Sequence, residues 1–251
     1  MWFNRNTFFT VVLLLVAIII SMKLTEFDLS KFRDFRNMID FLSHWFPMDF
    51  SVLPKMLLDT AETLAMAFLG SVFGLMIALP ISFLSAKNTS PSGIVYNLVR
   101  IFMSFIRSIP EIVFGLILLT ALGLGPFPAV LAIMFHNIGV LGKLISELIE
   151  STDPGPHEAM RAVGSKSWLA ALFSILPQIW PNVLSQYFYR FEVAIRTSLI
   201  LGFIGGGGIG QRLFNDFKSF QYSSVSLDVL LIMLLVILVD SFGSFIRNKV
   251  I

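Results

Sequence analysis

Two pairs of oppositely charged residues stand inside otherwise apolar stretches of this sequence. Arg107 and Glu111 are four residues apart, and Glu192 and Arg196 repeat that spacing. Residues four apart lie on the same face of a helix, so each pair can form an ion pair. Ionisable side chains at membrane depth are costly and usually pair with each other or face a cavity. Two interpretations are open: ion pairs that fix helix packing, which we favour, or a pathway lining whose arginines attract an oxyanion.

Two further polar positions fall in apolar stretches. Arg190 stands two residues before Glu192 and therefore faces another direction. It has no obvious local partner, which makes it the stronger candidate for a transport pathway. His136-Asn137 forms a polar pair that we interpret as hydrogen-bonded packing. We expect no metal site, because the three histidines are scattered and the chain has no cysteine.

The run Gly205-Gly-Gly-Gly-Ile-Gly210 contains too many glycines to be a regular helix. A nucleotide-binding loop needs Lys-Ser/Thr at its end, whereas Gln211-Arg212 follows here. Glycines instead permit tight turns and close helix approach. We therefore predict that Gly205 and Gly208 form either a hinge or gate, or a structural turn.

The motifs that the chain lacks narrow the function. It contains no G-x-x-x-x-G-K-[ST], no H-E-x-x-H and no G-x-S-x-G, so it does not hydrolyse ATP through a P-loop. An intramembrane enzyme, such as a lipid-modifying transferase, is the alternative to a transporter. It would need clustered acids or a metal site, and the acids here are dispersed. A structural membrane adaptor is a third class.

The elements that position these residues follow from composition. Of the 251 residues, 56% are hydrophobic and only 14% are charged, whereas soluble domains carry about 25% charged residues. The net charge of +2 is too small to suggest a nucleic-acid partner. The sequence therefore predicts an all-α, polytopic membrane protein.

A spanning helix needs roughly 20 mainly apolar residues. Six stretches meet this condition approximately, and they are residues 7–22, 63–84, 94–121, 129–149, 177–204 (or 181–204) and 227–246. We interpret the first as a membrane span or signal anchor, because more membrane protein follows it. The Lys and Arg residues of the short loops favour both termini in the cytoplasm, with the turn at 123–128 outside.

Two domains are predicted on this basis. Residues 1–58 combine the first span with a polar segment outside the cytoplasm, and residues 59–251 form the transport core. The segment at 23–59 mixes charges with Phe and Trp. It is either an amphipathic helix lying at the membrane interface or a solvated loop.

The predicted cytoplasmic loop at 150–176 carries the most specific local signals. Asp153 can cap a helix with Pro154 at its first position, and Gly164 can stop it. Ser165 or Ser167 can cap a second helix. Ala159 and Ala162 lie on one face and would let another surface approach closely. Two short helices at an angle suit insertion into a groove on a cytoplasmic partner.

This loop resembles the EAA loop of ABC-importer permeases. Glu158-Ala159, Gly164 and Leu176-Pro177 match the signature, whereas Met160 and Ser174 depart from it. The resemblance covers most of the chain after about residue 50 and points to the phosphonate-importer permeases. The segments that carry it lie at 79–86, 107–111, 125–133, 136–144, 189–196 and 205–211.

Membership of that family would imply the type I ABC importer permease fold in the bacterial cytoplasmic membrane. It would also imply a homodimer, a cytoplasmic ATPase dimer that binds the ATP, and a periplasmic or lipoprotein substrate-binding protein. The substrate would be a phosphorus oxyanion, such as phosphonate or phosphite, and the chain itself would need no cofactor. The resemblance assigns ATPase coupling to five residues, which are Glu158, Ala159, Arg161, Ala162 and Gly164.

Overall fold

A computed structural model describes residues 5–250 of the chain, and the regular secondary structure among them is helical, with no β-strand. The chain divides into two compact units, at 1–44 and 45–251. The functional boundary predicted at residue 58 stays a prediction.

The first unit contains helices α1 (Arg5–Leu24) and α2 (Phe35–Ser43), joined through a 3₁₀ turn at Leu29–Asp34. In α2, apolar side chains recur at Phe35, Met38, Ile39 and Leu42, which places them on one face. The structure thus has the amphipathic helix rather than an irregular loop in this segment. Its position at a membrane surface stays a prediction.

The second unit contains nine further α-helices, numbered in chain order. They are α3 (Leu53–Leu84), α4 (Gly93–Ser108), α5 (Glu111–Leu122), α6 (Pro126–Glu150), α7 (Pro154–Ala162), α8 (Ser167–Ser174), α9 (Leu176–Phe203), α10 (Gly208–Lys218) and α11 (Tyr222–Val250). Among the described residues, five helical segments are long and apolar enough to cross a membrane, and the bent pair α4–α5 makes a sixth if it is one span. The predicted count of about six spans is confirmed.

The predicted continuous span at 94–121 is wrong in one respect. Helices α4 and α5 meet at an angle of 84°. Ile109 has extended backbone (φ −84°, ψ 121°), and Pro110 follows it. Proline lacks an N–H and disfavours helical geometry in the residue before it, so the helix ends at Ser108.

Two other elements differ from the prediction. Helix α3 begins at Leu53, ten residues before the expected start at residue 63. The prediction marked only the most apolar part of the helix, which extends further toward the N-terminus. Helix α10 was not expected at all. It begins within the glycine run, at Gly208, and it is amphipathic rather than uniformly apolar, so an apolar stretch in the sequence does not indicate it.

Close backbone contact joins α3 to α6 in the core. A Cβ atom on Gly70 would lie 2.7 Å from Cβ of Ile133, and one on Gly74 would lie 2.7 Å from Cβ of Asn137. Helices approach this closely where a small residue on one of them, here glycine, leaves room for the other. The same core includes Ala194 and Ile195 of α9, so these three helices form the frame of the unit.

Hydrogen bonds mark the two ends of this bundle. At one end, Lys87 N donates to Glu150 Oε1 at 2.9 Å, and Arg100 Nη1 lies 3.1 Å from the same oxygen. At the other end, Gly125 N donates to the carbonyl of Gly205 at 2.9 Å. The predicted cytoplasmic loops thus gather at one end and the predicted outer turns at the other.

Single-cysteine labelling tests the orientation, and the absence of native cysteines keeps the background low. We expect Lys166→Cys, between α7 and α8, to react with a membrane-impermeant maleimide only in inside-out vesicles. Leu124→Cys should react only in right-side-out vesicles, because Leu124 is 75% exposed in the turn before α6. The reverse pattern would invert the topology.

Candidate translocation and coupling sites

The carboxylate of Glu111 lies at the centre of a polar cluster inside the bundle. Arg190 Nη2 donates to Glu111 Oε1 at 2.9 Å, and His136 Nε2 lies 3.2 Å from the same oxygen. The hydroxyl of Thr197 donates to Oε2 of Glu111. Helices α5, α6 and α9 thus meet at one carboxylate.

The cluster extends to the neighbouring amide on α6. Arg190 Nε donates to Asn137 Oδ1 at 2.8 Å, and Asn137 Nδ2 has no hydrogen-bond partner. Asn137 is 1% exposed and Arg190 is 8% exposed. Arg190 was predicted to have no partner nearby in the sequence, and this is correct. Its guanidinium is hydrogen-bonded instead to Glu111 and Asn137 on other helices.

His136 contributes to packing, as predicted. Its Nδ1 lies 3.2 Å from the carbonyl oxygen of Ile109, at the break between α4 and α5. A neutral imidazole donates through only one nitrogen. A neutral ring therefore donates a hydrogen bond either to Glu111 Oε1 or to the carbonyl oxygen of Ile109. Only a protonated ring donates to both.

Both predicted i, i+4 ion pairs are wrong. Arg107 is exposed and has no ion pair in the described part of the chain, because the break at Pro110 separates it from Glu111. Glu192 instead binds Arg247 Nη1 at 2.5 Å. Arg196 lies 3.1 Å from Asp240 on α11. In α9 the acid and the base each find a closer partner on the neighbouring helix than on their own.

The glycine run forms a tight turn between α9 and α10. Gly205 (φ +99°) and Gly208 (φ +68°) both adopt left-handed backbone conformations that other residues rarely take. The hydroxyl of Thr63 accepts a hydrogen bond from Ile209 N at 2.9 Å, so the turn is fixed to α3. The turn interpretation has direct geometric support, and the gate role stays a prediction.

A second charge cluster at the outer end of the bundle was missed. Arg212 of α10 lies 3.2 Å from Asp59, 3.4 Å from Asp216 and 3.5 Å from Asp228. Asp228 is completely buried. In the sequence, only the i, i+4 spacing of Arg212 and Asp216 could have indicated this cluster. The other two acids, Asp59 and Asp228, lie on other helices, so no local spacing points to them. The cluster attaches α10 to α3 and α11.

The cytoplasmic helix pair forms largely as predicted. Asp153 caps α7 by accepting a hydrogen bond from Gly155 N at 3.0 Å, and Gly164 ends it with φ +86°. The predicted serine cap of α8 is wrong, because Lys166 occupies the cap position and makes no side-chain capping bond. The five predicted coupling residues are all exposed, and they are Glu158, Ala159, Arg161, Ala162 and Gly164.

A cavity of about 870 Å³ opens beside this helix pair. Arg161 and His157 of α7 contribute to its wall, opposite Pro80 and Phe83 of α3. The cavity thus lies between the exposed helix pair and the cytoplasmic end of the frame. No group of three His, Asp or Glu side chains suited to a metal ion occurs within the described residues.

Comparison with known proteins identifies the family. The model of the family described as the binding-protein-dependent transport system inner membrane component matches residues 70–251. The chain belongs to this family. It is therefore a multi-pass protein of the inner membrane and a transport subunit rather than an enzyme. This binding-protein-dependent permease works with a substrate-binding protein and a partner ATPase.

Two relatives give the similarity in more detail. The phosphite transport system permease protein PtxC of Stutzerimonas stutzeri is 36% identical over 202 residues, which cover 80% of this permease and 74% of that protein. The phosphate-import permease protein PhnE of Mycolicibacterium smegmatis is 32% identical over 191 residues, which cover 76% of this permease and 36% of that protein.

Solved structures confirm the fold. An inward-facing MetNI methionine ABC transporter matches with a TM-score of 0.70 at 22% identity, over 81% of this permease and 100% of that chain. A bacterial importer of the polysaccharide alginate matches with a TM-score of 0.66 at 13% identity, over 98% and 96% of the two chains. The permease therefore has the type I ABC importer fold that the sequence predicted.

The stability of the purified permease tests whether Arg190 is part of the packing. Arg190→Met leaves the largely buried Glu111 carboxylate without its cation, so we expect a loss of about 3 kcal/mol in the free energy of unfolding. Arg196→Met is the matched control on the same helix. Its pair with Asp240 is about half exposed, so about 0–1 kcal/mol is expected.

Unfolding in detergent, followed by circular dichroism against denaturant, measures both variants. Adding Glu111→Gln to Arg190→Met should restore part of the loss, because it removes the unpaired charge. Equal effects of the two arginine substitutions would contradict a structural role for the Arg190–Glu111 pair.

Proposed function

We propose that this permease imports a phosphorus oxyanion, such as phosphite or a phosphonate, across the cytoplasmic membrane. The observation that carries the proposal is the 36% identity to a phosphite permease over 80% of the chain. The buried arginine at the centre of α9 supports it, since a guanidinium suits an oxyanion through charge-assisted hydrogen bonds.

The energy for transport comes from the partner ATPase. The permease has no P-loop of its own, so we propose that it needs no cofactor and that the ATPase dimer binds the ATP. Helix α7 is the docking element. It is short, capped at Asp153, exposed along its coupling face, and stopped at Gly164, which suits insertion into a groove.

The working assembly is a homodimer. One chain offers a single coupling element, whereas two ATPase subunits present two clefts. Two identical copies supply the second element with the fewest components. A binding protein, in the periplasm or attached as a lipoprotein, delivers the substrate to the outer end.

Seven residues are proposed to line or gate the pathway, and they are Arg107, Glu111, Arg190, Glu192, Arg196, Gly205 and Gly208. Exposed Arg107, without an ion pair among the described residues, is available to attract an anion. The other four charged residues are paired, so they act in the pathway only where a substrate or a conformational change replaces a partner.

Uptake into proteoliposomes tests the substrate. We expect ATP-dependent accumulation of phosphite when the permease is reconstituted with its ATPase and binding protein. Methionine should not accumulate. The mass of the detergent-solubilised complex should correspond to two permease copies for two ATPase subunits. One permease copy would contradict the homodimer.

Substitutions at Gly164 test the coupling element. Gly164→Val places a β-branched residue at φ +86°, which we expect to disturb the end of α7 and to lower uptake and ATPase association severalfold. Gly164→Asn should retain most activity, because asparagine tolerates this conformation.

Gly93→Val is the matched control, since Gly93 has open space around it and no left-handed backbone. It should transport like the native protein. Co-purification of the ATPase with each variant separates loss of docking from loss of transport. Native-like uptake by Gly164→Val would move the docking role away from this turn.

A further inference from the structure

The donors around Glu111 come from a different part of the fold than Glu111 itself. Arg190 and Thr197 lie on α9, and His136 lies on α6. Both helices belong to the packed frame with α3. Glu111 is the first residue of α5 and directly follows the break at Pro110. The donors thus lie on the packed frame, whereas the anion that they bind, Glu111, lies on α5, next to the bend between α4 and α5.

This set contains one donor group more than Glu111 uses. The two carboxylate oxygens take the contacts from Arg190, His136 and Thr197. The amide of Asn137 is bound to Arg190 through its oxygen, and its nitrogen is buried without a partner. A buried donor without a partner loses its bond to water and gains none in return, so its presence calls for an explanation.

A tetrahedral oxyanion offers this set of donors one more acceptor oxygen than a carboxylate does. A carboxylate has two oxygens, whereas phosphite and phosphonate have three on phosphorus. The third oxygen gives the Asn137 amide an acceptor. The guanidinium, the imidazole and the hydroxyl are groups that bind oxyanions in proteins through charge-assisted hydrogen bonds.

We propose that Arg190, His136, Thr197 and Asn137 form a binding site for a phosphorus oxyanion, and that Glu111 occupies it as an internal anion when no substrate is bound. This inference rests on the proposed function. The carboxylate and the substrate exclude each other, because both need the same donors of Arg190, His136 and Thr197.

Replacement of Glu111 by the substrate would change the contacts that hold α5 against the frame. When the oxyanion binds, Glu111 loses its three contacts with α6 and α9, and α5 loses its polar attachment to the frame. The Glu111 side chain is 20% exposed, so the surrounding donors do not enclose it completely. Substrate occupancy is thereby linked to the position of α5 and of the bend at Pro110.

Direct binding to the purified permease–ATPase complex, without binding protein, tests the site. The probe is radiolabelled inorganic phosphate, and unlabelled phosphite serves as the competitor. We expect Glu111→Gln to bind phosphate at least tenfold more tightly than the native complex, because the competing charge is gone. A tenfold change corresponds to 1.4 kcal/mol.

Thr197→Val provides a second variant that leaves every charge paired. It removes one donor and keeps the shape of the side chain, so we expect at least fivefold weaker phosphate binding. Thr120→Val is the matched control, because Thr120 is exposed on α5 and donates to the carbonyl of Leu116 in its own helix. Its binding should equal that of the native complex.

The proposal is overturned if Glu111→Gln binds phosphate no more tightly than the native complex. It is also overturned if Thr197→Val and Thr120→Val bind it equally. If Glu111→Gln does not fold, the comparison of Thr197→Val with Thr120→Val decides alone.

Uptake measurements separate this inference from the proposed function. Normal phosphite uptake with an unchanged KM in Thr197→Val would remove the site and leave the importer, whereas no phosphite uptake by native protein would remove the proposed substrate.

Discussion

A charge inside a membrane protein has to be paired, and this requirement determines how the central helices meet. The Glu111 carboxylate has no compensating group on its own helix, so α6 and α9 supply the partners. Arg190 in turn spans from Glu111 to Asn137. The cluster therefore fixes the relative rotation of three helices, because turning any one of them would leave a charge without its partner. Apolar packing alone would not specify this rotation, since lipid is as apolar as the helix surfaces.

The features that the sequence predicted well depend on local rules. Asp153 and Pro154 at the start of α7 and Gly164 after its end each act on the backbone turn beside them. The same cap and stop occur in the structure. The spans were found because a hydrophobic stretch of sufficient length has few alternatives to a membrane helix.

The features that the sequence predicted poorly depend on distant partners. The i, i+4 rule presupposes a continuous helix, and Pro110 interrupts the one on which Arg107 and Glu111 were placed. In α9 the helix is continuous, yet Arg247 and Asp240 of α11 compete successfully for Glu192 and Arg196. Spacing shows which residues can meet, but not which competitor lies nearer in the folded bundle.

The long separation between Glu111 and Arg190 also has a consequence for how the protein is made. The two residues are 79 positions apart, and ribosomes add about 5–20 residues per second. Glu111 thus leaves the ribosome about 4–16 s before its cation. During that interval the carboxylate lacks the arginine that pairs with it in the folded bundle, so the contact between α5 and α9 forms only after α9 has been synthesised. The central ion pair of this permease is therefore completed late in synthesis, when a later segment reaches an earlier one.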